Sequence, residues 1–277
     1  DNTVSTDTFF VWKCFQCKAK FTQDVPEENA IGRYYQSENY VSHSDTKKGL
    51  VNSLYHKVRQ FTLVSKRKMV LSETRKRKGN LLDVGCGTGA FINAMQLSGW
   101  STTGLEPDSS AAEKAEALYG IKPKSPEALF SLQEKDYDAI TMWHVLEHVH
   151  RLDDYITQFR KLLRPNGVLI IAVPNHTSYD AAFYKENWAA YDVPRHLYHF
   201  SPNSISVLME RHGLKVKTVK PMWFDSFYVS MLSESYRYGK QNLLRACLVG
   251  FYSNVKALFN FRKCSSVIYI IKHQTNL

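Results

Sequence analysis

Ten consecutive residues, Leu81-Leu82-Asp83-Val84-Gly85-Cys86-Gly87-Thr88-Gly89-Ala90, carry the clearest chemical signal in the chain. The apolar run reads as a buried parallel strand that stops at three alternating glycines. Phe91, Ala94, Met95 and Leu97 then resume at helix spacing. A strand that turns directly into a helix gathers backbone N–H groups about one point. Glycines suit that turn because no Cβ holds a ligand away, and part of it calls for positive φ. The helix start adds a partial positive charge that suits an anionic group. The stretch therefore describes a nucleotide-type pocket.

Gly85-x-Gly87-x-x-Ala90 also fits the dinucleotide fingerprint, whereas a Walker phosphate loop is excluded because no Gly-Lys-Ser/Thr follows. Asp83 decides between the remaining ligands. A carboxylate two residues before the first glycine disfavours a pyrophosphate and suits an ammonium. S-adenosylmethionine offers an ammonium, a sulfonium and one carboxylate, with no phosphate. Glu106 follows Gly89 by 17 residues, the interval at which doubly wound folds set a carboxylate on ribose hydroxyls, and Pro107 follows it directly. Tyr34, Tyr35 and Tyr40 lie in a dense aromatic segment and could cover a sulfonium by cation–π contact or simply anchor packing.

Three further groups could do chemistry. His144-Val-Leu-Glu147-His148 fits the inverted zinc-protease pattern H-x-x-E-H, but it follows a strand bearing Trp143 and lacks the helix a protease needs. Cys14-x-x-Cys17 is half of a zinc site with no second Cys-x-x-Cys in the chain, so a ribbon remnant and two ordinary thiols both stand as readings. The stretch from Pro174 to Phe200 holds Trp188, Tyr191, Asp192, Arg195, His196 and His199. There Arg195 could grip an anionic acceptor and His148, His196 or His199 could take a proton. The competing reading pairs Asp192 with Arg195 internally and makes His196 a turn cap.

The elements that must position these groups alternate. Leu50 to Ser72 reads as a helix, with Leu50, Leu54, Val58, Phe61 and Val64 on one stripe. Strands are expected at 81–84, 101–106, 121–125, 137–143, 168–173, 214–219 and 266–271. Helices are expected between them, one running 111–118 behind a Ser109 or Ser110 cap, and Arg164 to Gly167 forms a tight turn. Alternation of this kind means a doubly wound parallel sheet. The 277 residues, 44% hydrophobic and 22% charged, suit a globular chain, and no apolar run approaches a membrane span. Five scattered cysteines point to a reducing compartment, taken as the cytoplasm. The net charge of +10 owes much to Lys66-Arg67-Lys68 and Arg75 to Lys78, which read as a solvated helix face.

Taken together, these residues resemble the class I S-adenosylmethionine-dependent methyltransferases. The resemblance rests on Asp83-x-Gly-x-Gly-x-Gly89, Gly104-Leu-Glu106-Pro-Asp, Tyr137-Asp138 through Leu146-Glu147-His148-Val149, and Leu163-Arg-Pro-Asn-Gly167 before a strand ending Pro174-Asn175. The subgroup most similar carries Trp-x-x-x-Asp-x-Pro-Arg-His, here Trp188 to His196, and often an N-terminal cysteine ribbon. The resemblance implies a Rossmann-like seven-stranded α/β sheet with an antiparallel last strand. It sets Gly85 to Gly89 on the methionine part of the cofactor, Ser125 to Ala128, including Glu127, on the adenine side, and Trp143–His144 on the far wall. The segment around Glu147 also looks like ubiquinone-pathway O-methyltransferases and metal-using RNA 2′-O-methyltransferases. His144 and Val149 depart from the metal-using pattern, so no metal is expected.

The resulting expectation is a methyltransferase domain over 46–277 with acceptor-side insertions at 174–200 and 220–264, preceded by an aromatic segment over 1–45. Tyr34, Asp83, Gly85, Cys86, Gly87, Gly89, Glu106, Pro107, Glu127, Ala128, Trp143 and His144 would bind S-adenosylmethionine. His148, His196 and Arg195 would serve catalysis. The acceptor would be small or lipid-linked and methylated at oxygen, with peripheral membrane contact allowed. A nucleic-acid acceptor and a non-catalytic binding module are the alternatives.

Overall fold

The computed structural model describes residues 1–35 and 50–274, with side chains of the first long helix described from Val58 onward. Tyr40 of the aromatic segment lies outside the described residues, as do the side chains of Leu50 and Leu54. A short hairpin, β1 (Val11–Lys13) and β2 (Lys20–Thr22), precedes the long helix α1 (Leu50–Thr74). The alternating part follows: β3 (Asn80–Val84), α2 (Ala90–Gln96), β4 (Ser101–Leu105), α3 (Ser109–Tyr119), β5 (Tyr137–Trp143), α4 (Leu152–Leu162) and β6 (Leu163–Pro174). Then come α5 (Tyr179–Tyr184), β7 (Tyr198–His199), α6 (Pro202–Arg211), β8 (Leu214–Pro221), α7 (Asp225–Tyr238), α8 (Leu243–Phe259) and β9 (Ser266–His273).

The main sheet runs β4-β3-β5-β6-β9-β8. The first four strands are parallel, and β9 is antiparallel to both neighbours. Side chains alternate across it as the pleat requires. Leu82, Ile140, Leu169 and Ile171 pack on one face with Phe159 and Met209. Leu81, Ala139, Val168 and Ile170 pack on the other with Val70 and Met95. Because the four parallel strands end at one edge, the turns after β3, β4 and β5 and the chain leaving β6 converge there.

Four expectations change. Among the described residues the sheet has six strands rather than seven. Residues 121–125 contribute one parallel bridge, Lys124 with Leu105, because Pro123 beside it has no N–H to extend a ladder. Helix α3 is capped by Asp108, whose carboxylate accepts from the Ala111 N–H at 3.0 Å, not by a serine. The turn expected at 164–167 is taken up in β6, with a register shift opposite Tyr137 and Ala139. In α1, Phe61 and Val64 are exposed, and the helix docks through Val70, Leu63 and Met69 instead.

The stretch from 174 to 200 is more regular than expected. It contains α5 and β7, and β7 pairs antiparallel with β2, so the N-terminal hairpin and this stretch form one three-stranded sheet. The basic run is not simply a solvated face either. Lys76 reaches the buried Asp138 carboxylate at 2.5 Å, joined by Arg164 at 2.9 Å and the Asn80 N–H at 2.9 Å. Burial pushes the Asp138 carboxyl up, but these three donors outweigh it and hold it below the usual range.

That balance predicts the behaviour of Asp138→Ala. At pH 7 the variant should lose about 2 kcal/mol, since the carboxylate is buried while its cationic partners are half exposed. A depressed folded pKa gives stability above the unfolded pKa that is lost as pH falls through the folded one. Urea unfolding should therefore show a difference at pH 7 that shrinks as pH falls below the ordinary carboxylate range. An undiminished difference at the lower pH would contradict this assignment.

Candidate active site

Gly85, Gly87 and Gly89 have φ of 71°, 53° and 76°, so the loop after β3 is left-handed at three alternating positions. Gly85 is also fixed by packing, since a Cβ there would stand 2.4 Å from Val145 Cγ2. The amides do not all face one point, as the sequence suggested. The Gly85 and Cys86 N–H groups both donate to the Leu105 carbonyl, at 2.8 and 3.0 Å, and lash the loop to β4. The Gly87 N–H donates to Glu106 Oε2 at 2.7 Å, while Glu106 Oε1 accepts from the Asp108 N–H at 3.0 Å. Glu106 thus spans the glycine loop and its own turn.

Cys86 turns inward against Gly104 and Ile92, and burial pushes its thiol well up, so it can offer a ligand only main-chain groups. Asp83 is buried and accepts from Thr141 Oγ1 at 2.5 Å. Burial is the main reason its carboxyl is raised to about 7, against the opposing pull of Thr141 and Lys66. Lys66, from the supposedly solvated face, lies over the Trp143 ring with Nζ 4.3 Å from the centroid. Burial lowers it to about 8, countered by Asp83 and Asp225. Pro107 and Glu127 are exposed and Ala128 half-buried on the turns that follow β4 and precede β5.

The end of β5 is the second half of the site. Trp143 meets Phe91 edge-on at 5.7 Å, and its buried Nε1 has no partner among the described residues. His144 takes φ 58°, a left-handed conformation that a non-glycine residue rarely adopts. Its Nε2 lies 2.9 Å from Asp225 Oδ2 and its Nδ1 3.5 Å from Glu147 Oε1. Burial pulls this imidazole down, but the two carboxylates prevail and hold it at about 10, so it is a cation. Asp225 heads α7, after β8. Nothing in its sequence context marks it.

Glu147 is fully buried, and neither carboxylate oxygen has a hydrogen-bond partner among the described residues. One ligand atom each from Glu147, His148 and His196 lie within 4.8 Å of one another. His196 Nδ1 sits 2.9 Å from the Ala190 carbonyl, which can only accept, so Nδ1 carries the hydrogen and, in the neutral ring, Nε2 is the nitrogen with the lone pair. His148 Nδ1 is likewise 3.0 Å from the Arg195 carbonyl and 3.0 Å from the Tyr35 hydroxyl. Burial and the neighbouring His196 lower His148 to about 4, leaving it neutral. No metal was expected, on the departures at His144 and Val149. The described residues nevertheless bring this donor group together.

Other expected residues have internal duties. Arg195 is buried, bonded to Asp192 through Nε at 3.0 Å and also through Nη2, and its Nη1 donates to the Tyr34 carbonyl at 2.7 Å. The internal pairing is the one observed. Tyr34 is buried with Ile31 and Leu197, and its neighbour Tyr35 reaches His148 instead. Trp188 lies in a buried cluster with Tyr184 and Val249, its Nε1 donating to Asp180 at 2.8 Å. Cys14 and Cys17 occupy the β1–β2 turn as free thiols, and among the described residues no third ligand joins them.

A family model described as "Methyltransferase domain" matches residues 55–219. A ubiquinone biosynthesis O-methyltransferase of Rickettsia prowazekii (strain Madrid E) is 27% identical over 164 residues, 53% of this chain and 63% of the relative. The mitochondrial ubiquinone biosynthesis O-methyltransferase of Homo sapiens is 28% identical over 163 residues, 53% of this chain and 44% of that one. The chain thus spans less than two thirds of the length of these relatives. Among solved structures, a possible histamine N-methyltransferase from Thermotoga maritima aligns with TM-score 0.53 and 17% identity, over 82% of this chain and 96% of that one. Magnesium protoporphyrin IX methyltransferase from Synechocystis PCC 6803, with bound S-adenosylhomocysteine, aligns with TM-score 0.52 and 15% identity, over 87% and 91%. At these identities the structures speak to the fold alone.

The Arg195 geometry yields a direct expectation. Arg195→Ala should cost about 3 kcal/mol in urea unfolding, because it strands a largely buried Asp192. Unchanged stability would return Arg195 to the set of residues free to meet a ligand.

Proposed function

The chain belongs to the methyltransferase-domain family, and on that premise we propose that it transfers a methyl group from S-adenosylmethionine to an oxygen of a small or lipid-linked acceptor. The observation that carries the cofactor reading is Glu106, whose carboxylate lies across the left-handed glycine loop at the end of β4. Ribose hydroxyls can take over the donations that Gly87 and Asp108 make to it. Gly85 to Gly89 would face the methionine part, Glu127 and Ala128 the adenine side, and Trp143 with His144 the far wall. The Asp83 carboxylate would meet the ammonium. The oxygen acceptor follows from the two ubiquinone-pathway relatives.

Bound S-adenosylmethionine supplies a methyl already activated by its sulfonium, so the protein's task is positioning. An acceptor hydroxyl must also lose a proton. His196 is the group suited to take it, because the Ala190 carbonyl holds the hydrogen on Nδ1 and so leaves Nε2 as the accepting nitrogen of the neutral ring. Asp192, 3.9 Å from that nitrogen, would stabilise the cation formed. His148, held neutral, adds no opposing charge beside it. The basic run does not favour a nucleic-acid acceptor, since Lys66 and Lys76 are engaged within the fold. The reading extends to the 1–45 and 46–277 division, to a cysteine-ribbon remnant at Cys14 and Cys17, and to a cytoplasmic setting for five free thiols.

A second reading has its own support in the unbonded Glu147 carboxylate. With lone pairs on two imidazoles whose Nδ1 atoms are held by carbonyls, it matches the donors and outer bonds of a divalent-cation site. If a cation binds there, adding zinc or manganese to chelator-treated protein should raise the unfolding temperature by several degrees. Glu147→Gln should abolish that rise. No shift with any divalent metal would leave His196 as the base acting alone.

The cofactor reading is tested by calorimetry with S-adenosylhomocysteine. If the ionised Asp83 carboxylate receives the ammonium, affinity should rise about tenfold from pH 6 to pH 8 through a group of pKa about 7. Asp83→Asn should bind at least tenfold more weakly at pH 8 and lack that component of the profile. Parallel profiles for parent and variant would remove Asp83 from the site, and absence of binding in the parent would overturn the reading.

A further inference from the structure

Helix α8 is built inside out. Its buried face carries small residues, Ala246, Gly250, Ser253 and Ala257, spaced four, three and four apart. Gly250 permits close approach to α7, since a Cβ there would stand 2.8 Å from the Phe227 ring and 3.0 Å from its Cα. The bulky apolar residues point the other way. Leu244, Leu248, Phe251, Leu258 and Phe259 are 73, 60, 62, 64 and 87% exposed. An ordinary surface helix turns such a stripe toward the core, and a continuous exposed one marks a binding face.

Charge identifies what the face meets. From Ser235 to Leu277 the chain holds seven Lys or Arg residues and no Asp or Glu. Arg245 is engaged by Glu234 at 2.6 Å. Lys256, on α8, and Arg262 and Lys263, just beyond its end, are exposed next to the apolar stripe. A two-fold contact with a second copy would set these cations against themselves with no carboxylate in this segment to relieve them. An anionic lipid surface satisfies both features, taking the apolar side chains below the headgroups and the cations among them. Among the described residues no helix is long and apolar enough to cross a membrane, so the helix would lie on the bilayer. Both α7 and α8 follow residue 219, where the family match ends. Helix α8 also returns to β9, whose Ser266 pairs with Pro174 at the site edge of the sheet.

We propose that α8 is a peripheral anchor for an anionic bilayer. The test is co-sedimentation of the full chain with phosphatidylcholine vesicles, with and without about one third phosphatidylglycerol. The protein should pellet with the anionic vesicles and at least tenfold less with the neutral ones, and rising salt should weaken the binding. Leu248→Glu/Phe251→Glu should cut anionic binding at least tenfold with an unchanged unfolding midpoint, because both side chains are exposed. Lys256→Gln/Arg262→Gln should weaken it severalfold. Protein that stays in the supernatant with both vesicles overturns the proposal, as does binding indifferent to lipid charge. A dimer in ultracentrifugation that the Leu248→Glu/Phe251→Glu variant dissociates, without vesicle binding, would assign the face to a second copy. Neither cofactor nor acceptor enters the assay, so its failure leaves the methyl-transfer reading standing.

Discussion

A fully buried carboxylate constrains most of what surrounds it, and Glu147, approached by the His144 ring at 3.5 Å, is such a group. Taking it out of water costs several kcal/mol that only nearby positive charge or a bound cation can offset. At an effective dielectric near 20, one imidazolium at the observed 3.5 Å returns about 4 to 5 kcal/mol. His144 is that imidazolium, held cationic by Asp225 at one nitrogen and by Glu147 itself at the other. His148 and His196 complete the ring of nitrogens, with Asp192 beyond them.

The constraint explains why distant parts of the chain meet at one edge. Glu147 and His148 follow β5, and His196 lies in the stretch after β6. Asp225 heads α7, and Tyr35 comes from the N-terminal segment, which β2 locks onto β7. Buried Arg195 fastens the same arrangement from behind by joining Asp192 to the Tyr34 carbonyl. A second buried acid, Asp180, ties Trp188, Ser253 and Ser265 together and so fixes α5 to α8 and to the start of β9. The glycine loop and Glu106 form the other wall through β3 and β4. The two walls are joined by Lys66, Asp83 and Trp143.

How much of this was legible depended on the range of the interaction. The strands and the glycine turn depend on local pattern, and apolar runs punctuated by Gly placed β3, β5 and the loop within a residue or two. Glu106 was legible because its spacing from the loop is a property of the fold. Residues 121–125 looked like a strand by composition, and Pro123 reduced them to a bridge. Trp188 and Arg195 have the residue types of a binding site but are claimed by Asp180 and Asp192; the Asp192 pairing was already one of two readings of the sequence, whereas the Asp180 contact comes from packing. Asp225 had no local signal at all, since it matters only because α7 starts beside β5. Glu147 was visible inside a pattern belonging to a different chemistry, and its burial could not be read from neighbours in sequence.

The whole arrangement depends on the charge states around Glu147. Nitrogen NMR of the imidazole rings, followed across pH with Glu147→Gln for assignment, measures them directly. His144 should stay protonated up to about pH 10, while His148 should stay neutral down to about pH 4. Both rings titrating together near the ordinary value of about 6.5 would contradict those charge states.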